Sequence, residues 1–107
     1  MAKKEVIKKV KDYVNLLKAN NIAIEKAYLF GSQAFEEANE DSDIDVAIIS
    51  QNNKKSYLQE TLKLLKLARK VDFAISPQPY SLEDYKNAKE GNFLYQEIIN
   101  RGILLEG

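Results

Sequence analysis

Residues 27–50 constrain the fold of this chain more than any other segment. The segment begins with an apolar run that stops at Gly31 and Ser32, and it ends with a second apolar run headed by Asp43 and Asp45. Short runs of aliphatic and aromatic residues between polar turns are typical of β-strands. The segment therefore predicts two strands, joined through a glycine-serine turn and an acidic connector.

The remainder of the chain alternates helix and strand patterns. Residues 3–19 repeat apolar side chains at intervals of three and four, which predicts an amphipathic helix with its lysine-rich face in solvent. Strands are expected at 26–30, 43–50 and 71–76, with Pro77 and Pro79 ending the third of them. Residues 103–105 could add an edge strand.

Further helices are expected over about 54–69, 81–89 and 92–100. The second of these begins with a capping box at Ser81. The buried stripe of the first is predicted to consist of five residues, Leu58, Thr61, Leu62, Leu65 and Ala68, widened by Leu64 and Leu67. Helices between strands predict an α/β (α+β) fold in one domain, 1–107, with a mixed sheet of three to four strands covered by helices.

The composition excludes several kinds of chemistry. The 107 residues contain no cysteine and no histidine, which excludes thiol nucleophiles, disulfides and imidazole bases or ligands. Carboxylates remain, and these prefer hard ions such as Mg²⁺ or Mn²⁺. Lys+Arg and Asp+Glu are both 16, so no direct binding of nucleic acid is expected. Without a signal peptide or a membrane-spanning run, we expect a cytoplasmic protein.

Three aspartates form the candidate metal site. Asp43 and Asp45 are expected on the same face of one strand, with Cα atoms about 6.5 Å apart. Carboxylates at this separation can bind one ion or share two ions. Asp72 is expected at the second position of the next strand, where an adjacent position would bring it to the same ions. Three carboxylates could then bind a nucleoside triphosphate through Mg²⁺ and activate an attacking hydroxyl.

Gly31 and Ser32 are the candidate phosphate-binding residues. Glycine lets the backbone approach a ligand closely, and the amides at a helix start, with the serine hydroxyl, favour an anion. Each part also has a structural interpretation, because Gly-Ser is a common turn and an aspartate can protect a strand edge. For Asp72 taken alone, the residues favour neither interpretation.

The run FGSQAFEEANEDSDIDVAI resembles the motif of the polymerase β-like nucleotidyltransferase superfamily. The VDF tripeptide around Asp72 and the ending FLYQEIINRGILLEG are similar to its minimal nucleotidyltransferase (MNT) group. The resemblance implies a nucleotidyltransferase fold with ATP as substrate and two Mg²⁺ ions, Mn²⁺ being possible. Asp43, Asp45 and Asp72 would be the catalytic metal ligands, and Gly31 with Ser32 would form the phosphate turn.

The resemblance also implies a partner and a biological role. MNT proteins are commonly encoded beside a HEPN-type toxin, act as its antitoxin, and in some members transfer AMP to one of its tyrosines. Two alternatives remain: an antitoxin that neutralises its partner by binding alone, and a small-molecule nucleotidyltransferase, for which the chain leaves little room. The turn departs from the family pattern at Glu36, where a second glycine is usual, and a carboxylate there would repel ATP unless it points away.

Overall fold

The computed structural model describes residues 3–34, 42–51 and 57–107. Its helices and strands follow the predicted order. They are α1 (Lys3–Ala19), β1 (Ile24–Phe30), a 3-10 turn (Ser32–Ala34), β2 (Ile44–Ser50), α2 (Tyr57–Ala68), β3 (Ile75–Ser81), α3 (Leu82–Lys86), a π-helix (Leu94–Ile99) and β4 (Ile103–Glu106).

The four strands form one mixed sheet in the order β3-β2-β1-β4. Strand β1 is antiparallel to both of its neighbours, β2 and β4, whereas β2 and β3 are parallel. Parallel neighbours need a crossover, and α2 supplies it. The predicted fold class, a mixed sheet covered by helices, is confirmed, as is the edge strand at the C-terminal end of the sequence.

The side chains of β2 alternate between two apolar layers. Ile44, Val46 and Ile48 pack against α1 and α2, whereas Ala47 and Ile49 pack against the π-helix on the other side of the sheet. Burying a side chain of this size contributes about 1.5–3 kcal/mol. The predicted stripe of α1 is also confirmed, because its five apolar residues are all buried: Val6, Val10, Tyr13, Val14 and Leu17.

The stripe predicted for α2 is confirmed at Ala68 and at the widening residues Leu64 and Leu67, and it is wrong at Leu58 and Leu62. Leu64, Leu67 and Ala68 are buried, whereas Leu58 and Leu62 expose 65% and 56% of their surface. A helix with this many leucines has several apolar rows, and its periodicity alone does not select one. The neighbouring elements make the selection, because Leu64, Leu67 and Ala68 pack with α1 and the sheet, and the Tyr13 hydroxyl donates a hydrogen bond to the Leu64 carbonyl at 2.8 Å. The predicted beginning of the helix, near 54, lies outside the described residues.

The position predicted for the third strand is also wrong. Strand β3 begins at Ile75 rather than at residue 71, and it contains both Pro77 and Pro79. It lies at the edge of the sheet, where a missing N–H directed away from the partner strand breaks no ladder hydrogen bond. The two prolines lie two positions apart, so their nitrogens share that outer side, and both are buried opposite β2.

The segment after β3 carries the remaining helical turns. Ser81 caps α3 by accepting a hydrogen bond from the amide of Asp84 at 3.0 Å, which confirms the predicted cap, although the helix ends at Lys86. The last predicted helix is present as a π-helix, from which Leu94 and Ile98 enter the core. None of the helices in the described ranges is long and apolar enough to cross a bilayer.

Candidate active site

The glycine-serine turn directly follows β1. Gly31 has a φ of +76°, a conformation that costs an L-residue about 1–2 kcal/mol, and the turn closes when the amide of Ala34 donates to the Gly31 carbonyl at 3.0 Å. A Cβ at Gly31 would overlap a carboxylate oxygen of Asp45 and lie 3.3 Å from its Cγ. Both the backbone conformation and the neighbouring carboxylate therefore require glycine.

Asp45 is the second residue of β2, and Asp43 immediately precedes the strand, one residue before its observed start. Asp45 pairs with Phe30, the residue before Gly31, so its carboxylate lies against the turn. Asp45 is half-buried and Asp43 is exposed. Burial raises the pKa of Asp45 above its ordinary value, and the negative charge of Asp43 raises this pKa further. The structure thus brings together one predicted phosphate-binding residue and two predicted metal ligands.

Gln33 connects the turn to the carboxylate pair. Its side chain is 5% exposed, and its Nε2 donates a hydrogen bond to the carbonyl of Ser42 at 3.2 Å. Ser42 immediately precedes Asp43, so this bond sets the separation between the turn and the head of β2. The sequence analysis assigned no role to Gln33, because a glutamine in a polar turn gives no sign of burial.

Asp72 lies before β3, so its predicted place at the second position of that strand is wrong. Its carboxylate forms an ion pair with Lys9 of α1 at 2.5 Å and accepts the amide of Ala74 at 2.7 Å. The hydrogen bond from Lys9 lowers the pKa of Asp72, and the Ala74 amide lowers it further. Ser76 is the β3 residue opposite Asp45. That Asp72 is the third metal ligand remains a prediction.

The structure describes no group of three carboxylates that could hold a metal ion together. Asp43 and Asp45 nevertheless suit Mg²⁺ or Mn²⁺, because both ions prefer carboxylate oxygen. The Asp45 carboxylate lies so close to the Gly31 backbone that a ligand bound at the turn would also lie beside this carboxylate. Glu36, where the turn departs from the family pattern, lies outside the described residues.

A lysine also reaches the turn, which the sequence analysis did not predict. The Nζ atom of Lys3 donates a hydrogen bond to the carbonyl of Ala34 at 3.0 Å. The sequence pattern predicts that Lys3 lies in solvent with the other lysines of α1. Its spacing from Val6 and Val10 was the missed signal, because it continues the buried stripe of the helix by one step towards the N-terminus.

The comparisons with known proteins agree with this geometry. The sequence profile of the family described as polymerase β, nucleotidyltransferase, matches residues 8–106. Comparison with the curated proteins gives no match.

Several solved structures share the fold. A presumed nucleotidyltransferase from Sulfolobus solfataricus superposes with a TM-score of 0.67 at 16% identity, over 95% of this chain and 80% of that one. A toxin-antitoxin structure with AMP-PNP gives 0.64 at 25% identity, over 94% and 73%. The MNT antitoxin with tri-AMPylated HEPN toxin from Shewanella oneidensis gives 0.59 at 23% identity, over 99% and 73%.

Proposed function

The chain belongs to the polymerase β nucleotidyltransferase family, and we propose that it transfers AMP from Mg-ATP to a tyrosine hydroxyl of a HEPN-type toxin encoded nearby, and so acts as an antitoxin. The observation that carries this proposal is the contact between the Gly31 turn and the Asp45 carboxylate. A glycine-serine turn, which would bind phosphate, and a carboxylate pair suited to metal are the two parts that phosphoryl-group chemistry requires.

The residues of the turn have separate tasks in this proposal. Gly31 lets the triphosphate approach the backbone, and the Ser32 hydroxyl donates a hydrogen bond to a phosphate oxygen. Gln33 keeps the turn at a fixed distance from Asp43 through its bond to Ser42. In the transfer, the tyrosine oxygen would bond to the α-phosphorus of ATP and lose its proton, and pyrophosphate would leave. Positioning is the main contribution of the protein to such a step, because ATP already carries this leaving group.

Asp43 and Asp45 would hold Mg²⁺, and Asp72 would join them as the third ligand. Bound Mg²⁺ would neutralise charge on the phosphates and lower the pKa of the attacking hydroxyl. Each carboxylate must be deprotonated to bind the ion. The ion pair with Lys9 lowers the pKa of Asp72 and so favours its ionised form. To bind the metal, the Asp72 carboxylate would have to leave Lys9.

The partner and the nucleotide are proposed from similarity. The structure with AMP-PNP is a toxin-antitoxin complex, and its 25% identity over 94% of this chain supports both an adenine nucleotide and a toxin partner. The HEPN toxin in the Shewanella oneidensis complex is tri-AMPylated, which motivates the choice of AMP as the transferred group. The tyrosine acceptor follows from the family resemblance.

The test is transfer of label from α-labelled ATP, with Mg²⁺, to the protein encoded beside this chain. We expect label on the partner with the native chain and none with Asp43→Asn. Asp12→Asn is the matched control, because Asp12 lies on α1 with a half-exposed side chain that pairs with Lys8. Transfer that survives in the Asp43→Asn, Asp45→Asn double variant would refute the proposal.

Neutralisation by binding alone is the second candidate function. It is favoured by an apolar row on the solvent side of α2, where Tyr57, Leu58 and Leu62 expose between 56% and 65% of their surface. Exposed apolar clusters of this kind are typical of protein-binding surfaces. If the carboxylate double variant protects against the toxin as potently as the native chain, binding rather than transfer explains the antitoxin activity.

A further inference from the structure

Lys3 is placed differently from its neighbouring lysines on α1. It continues the row formed by Val6, Val10 and Tyr13, all buried against the sheet, whereas Lys4 is exposed. Lys3 itself is half-buried. A lysine at this position extends its ammonium group along the end of the core rather than into bulk solvent.

The ammonium group of Lys3 contacts the turn formed by residues 31–34, which we call the phosphate turn. Nζ donates one hydrogen bond to the carbonyl of Ala34 at 3.0 Å. An ammonium has three donors, and the hydrogen bond to Ala34 uses one of them, so among the described residues two remain for another acceptor. The anchored side chain also loses less freedom on binding a ligand than a solvated lysine would.

The charges around the turn make this cation important. Residues 31–34 contain no charged side chain, and the adjacent Asp43 and Asp45 are both acidic. Lys9, the next half-buried lysine of the helix, forms an ion pair with Asp72 at 2.5 Å. Among the residues that the structure describes, Lys3 is therefore the cation placed to offset the charge of a polyphosphate at this turn.

We propose that Lys3 binds the polyphosphate of the nucleotide at the phosphate turn, donating to phosphate oxygens from the helix side while Gly31 and Ser32 contact them from the backbone side. The inference rests on the nucleotidyl transfer proposed above, because it assigns a residue to the same ligand. The proposed contact involves only phosphate oxygens, so it does not depend on which nucleotide base is bound or on which group accepts the AMP.

The experiment measures the affinity of the full chain for ATP and, separately, for inorganic tripolyphosphate, by calorimetry with Mg²⁺ present. The variants are Lys3→Gln, Lys3→Arg and the matched control Lys4→Gln, with thermal unfolding recorded for each. Lys3→Gln is expected to weaken both ligands by roughly tenfold, the value of one charge-assisted hydrogen bond. Lys3→Arg retains the charge and is expected to retain most of the affinity, and Lys4→Gln is expected to resemble the native chain.

The outcomes separate this inference from the proposed function. Equal affinities for Lys3→Gln and the native chain would overturn the inference and leave AMP transfer standing, as would equal losses in Lys3→Gln and Lys4→Gln. Lys3-dependent binding of tripolyphosphate without binding of ATP would support the phosphate contact and contradict nucleotidyl transfer from ATP. A native chain that binds neither ligand would contradict both.

Discussion

Replacing Gly31 by alanine tests how closely the turn and the carboxylate pair are coupled. The substitution has two separate costs. The first is the positive φ of +76°, which is worth about 1–2 kcal/mol for an L-residue. The second is the overlap of the new Cβ with Asp45, whose Cγ lies 3.3 Å from it, and overpacking of this kind costs about 1–3 kcal/mol. Gly31→Ala is therefore expected to lower the free energy of unfolding by about 2–5 kcal/mol.

Gly91 provides the control for the backbone cost. Its φ is +87°, and a Cβ built on it has nothing within 4 Å. Gly91→Ala should therefore show the backbone cost alone, about 1–2 kcal/mol. The difference between the two variants measures the overlap at Asp45.

A double-mutant cycle in urea denaturation completes the test. In an Asp45→Ala background the overlap is absent, so Gly31→Ala should cost no more than Gly91→Ala. If Gly31→Ala and Gly91→Ala are equally destabilising in the native background, or if Asp45→Ala leaves their difference unchanged, the contact between turn and carboxylate does not have the importance assigned to it.

Three further predictions concern the hydrogen bonds that position the site. Gln33→Ala removes the part-buried bond to Ser42 and should cost about 0.5–1.5 kcal/mol in urea denaturation; no measurable loss would mean that the bond does not hold the turn. Tyr13→Phe leaves a buried carbonyl of α2 without its donor and should cost about 1–3 kcal/mol, and an unchanged urea midpoint would refute this. The pKa of Asp72 is lowered in the folded chain by Lys9, so its ion pair stabilises above the ordinary pKa of 3.8 and is lost as the pH falls through the lowered value. Asp72→Asn should therefore cost up to about 1 kcal/mol at pH 7 and progressively less as the pH falls below 3.8, and a cost that does not change with pH would contradict the ion pair.

The sequence was sufficient for the features that depend on local patterns. The stripe of α1 is a regular repeat, and the alternation along β2 placed Ile44, Val46 and Ile48 on one face, as found. The cap at Ser81 depends on residues only three positions apart. Patterns of this kind report local structure directly, because the residues that form them are neighbours on one element.

The errors arose where one element is positioned by another. Pro77 and Pro79 end a strand in the interior of a sheet, but β3 lies at the edge, and edge position is a property of the whole topology. The displaced start of β3 moved Asp72 out of the strand and next to Lys9. The leucines of α2 that are buried are determined by the packing of this helix against α1 and the sheet.

The candidate site divides in the same way. The proximity of Gly31, Asp43 and Asp45 could be predicted from the sequence, because the turn and the carboxylates are adjacent to strands whose pairing brings them together. Lys3 and Gln33 could not, since their roles depend on contacts over 31 and 9 positions, respectively. A charged or polar residue that continues a buried stripe, as Lys3 does, indicates a side chain directed towards the protein rather than into solvent.

The central claim is that this protein transfers AMP to its partner, and the mass of that partner tests it most directly. The protein encoded beside this chain would be purified after co-expression with the native chain, with Asp45→Asn, or with the control Asp12→Asn, and its intact mass measured. We expect a gain of one or more AMP units with the native chain and with Asp12→Asn, located on tyrosine by fragmentation, and an unmodified mass with Asp45→Asn. An unmodified partner that is nevertheless fully neutralised by the native chain would contradict the account.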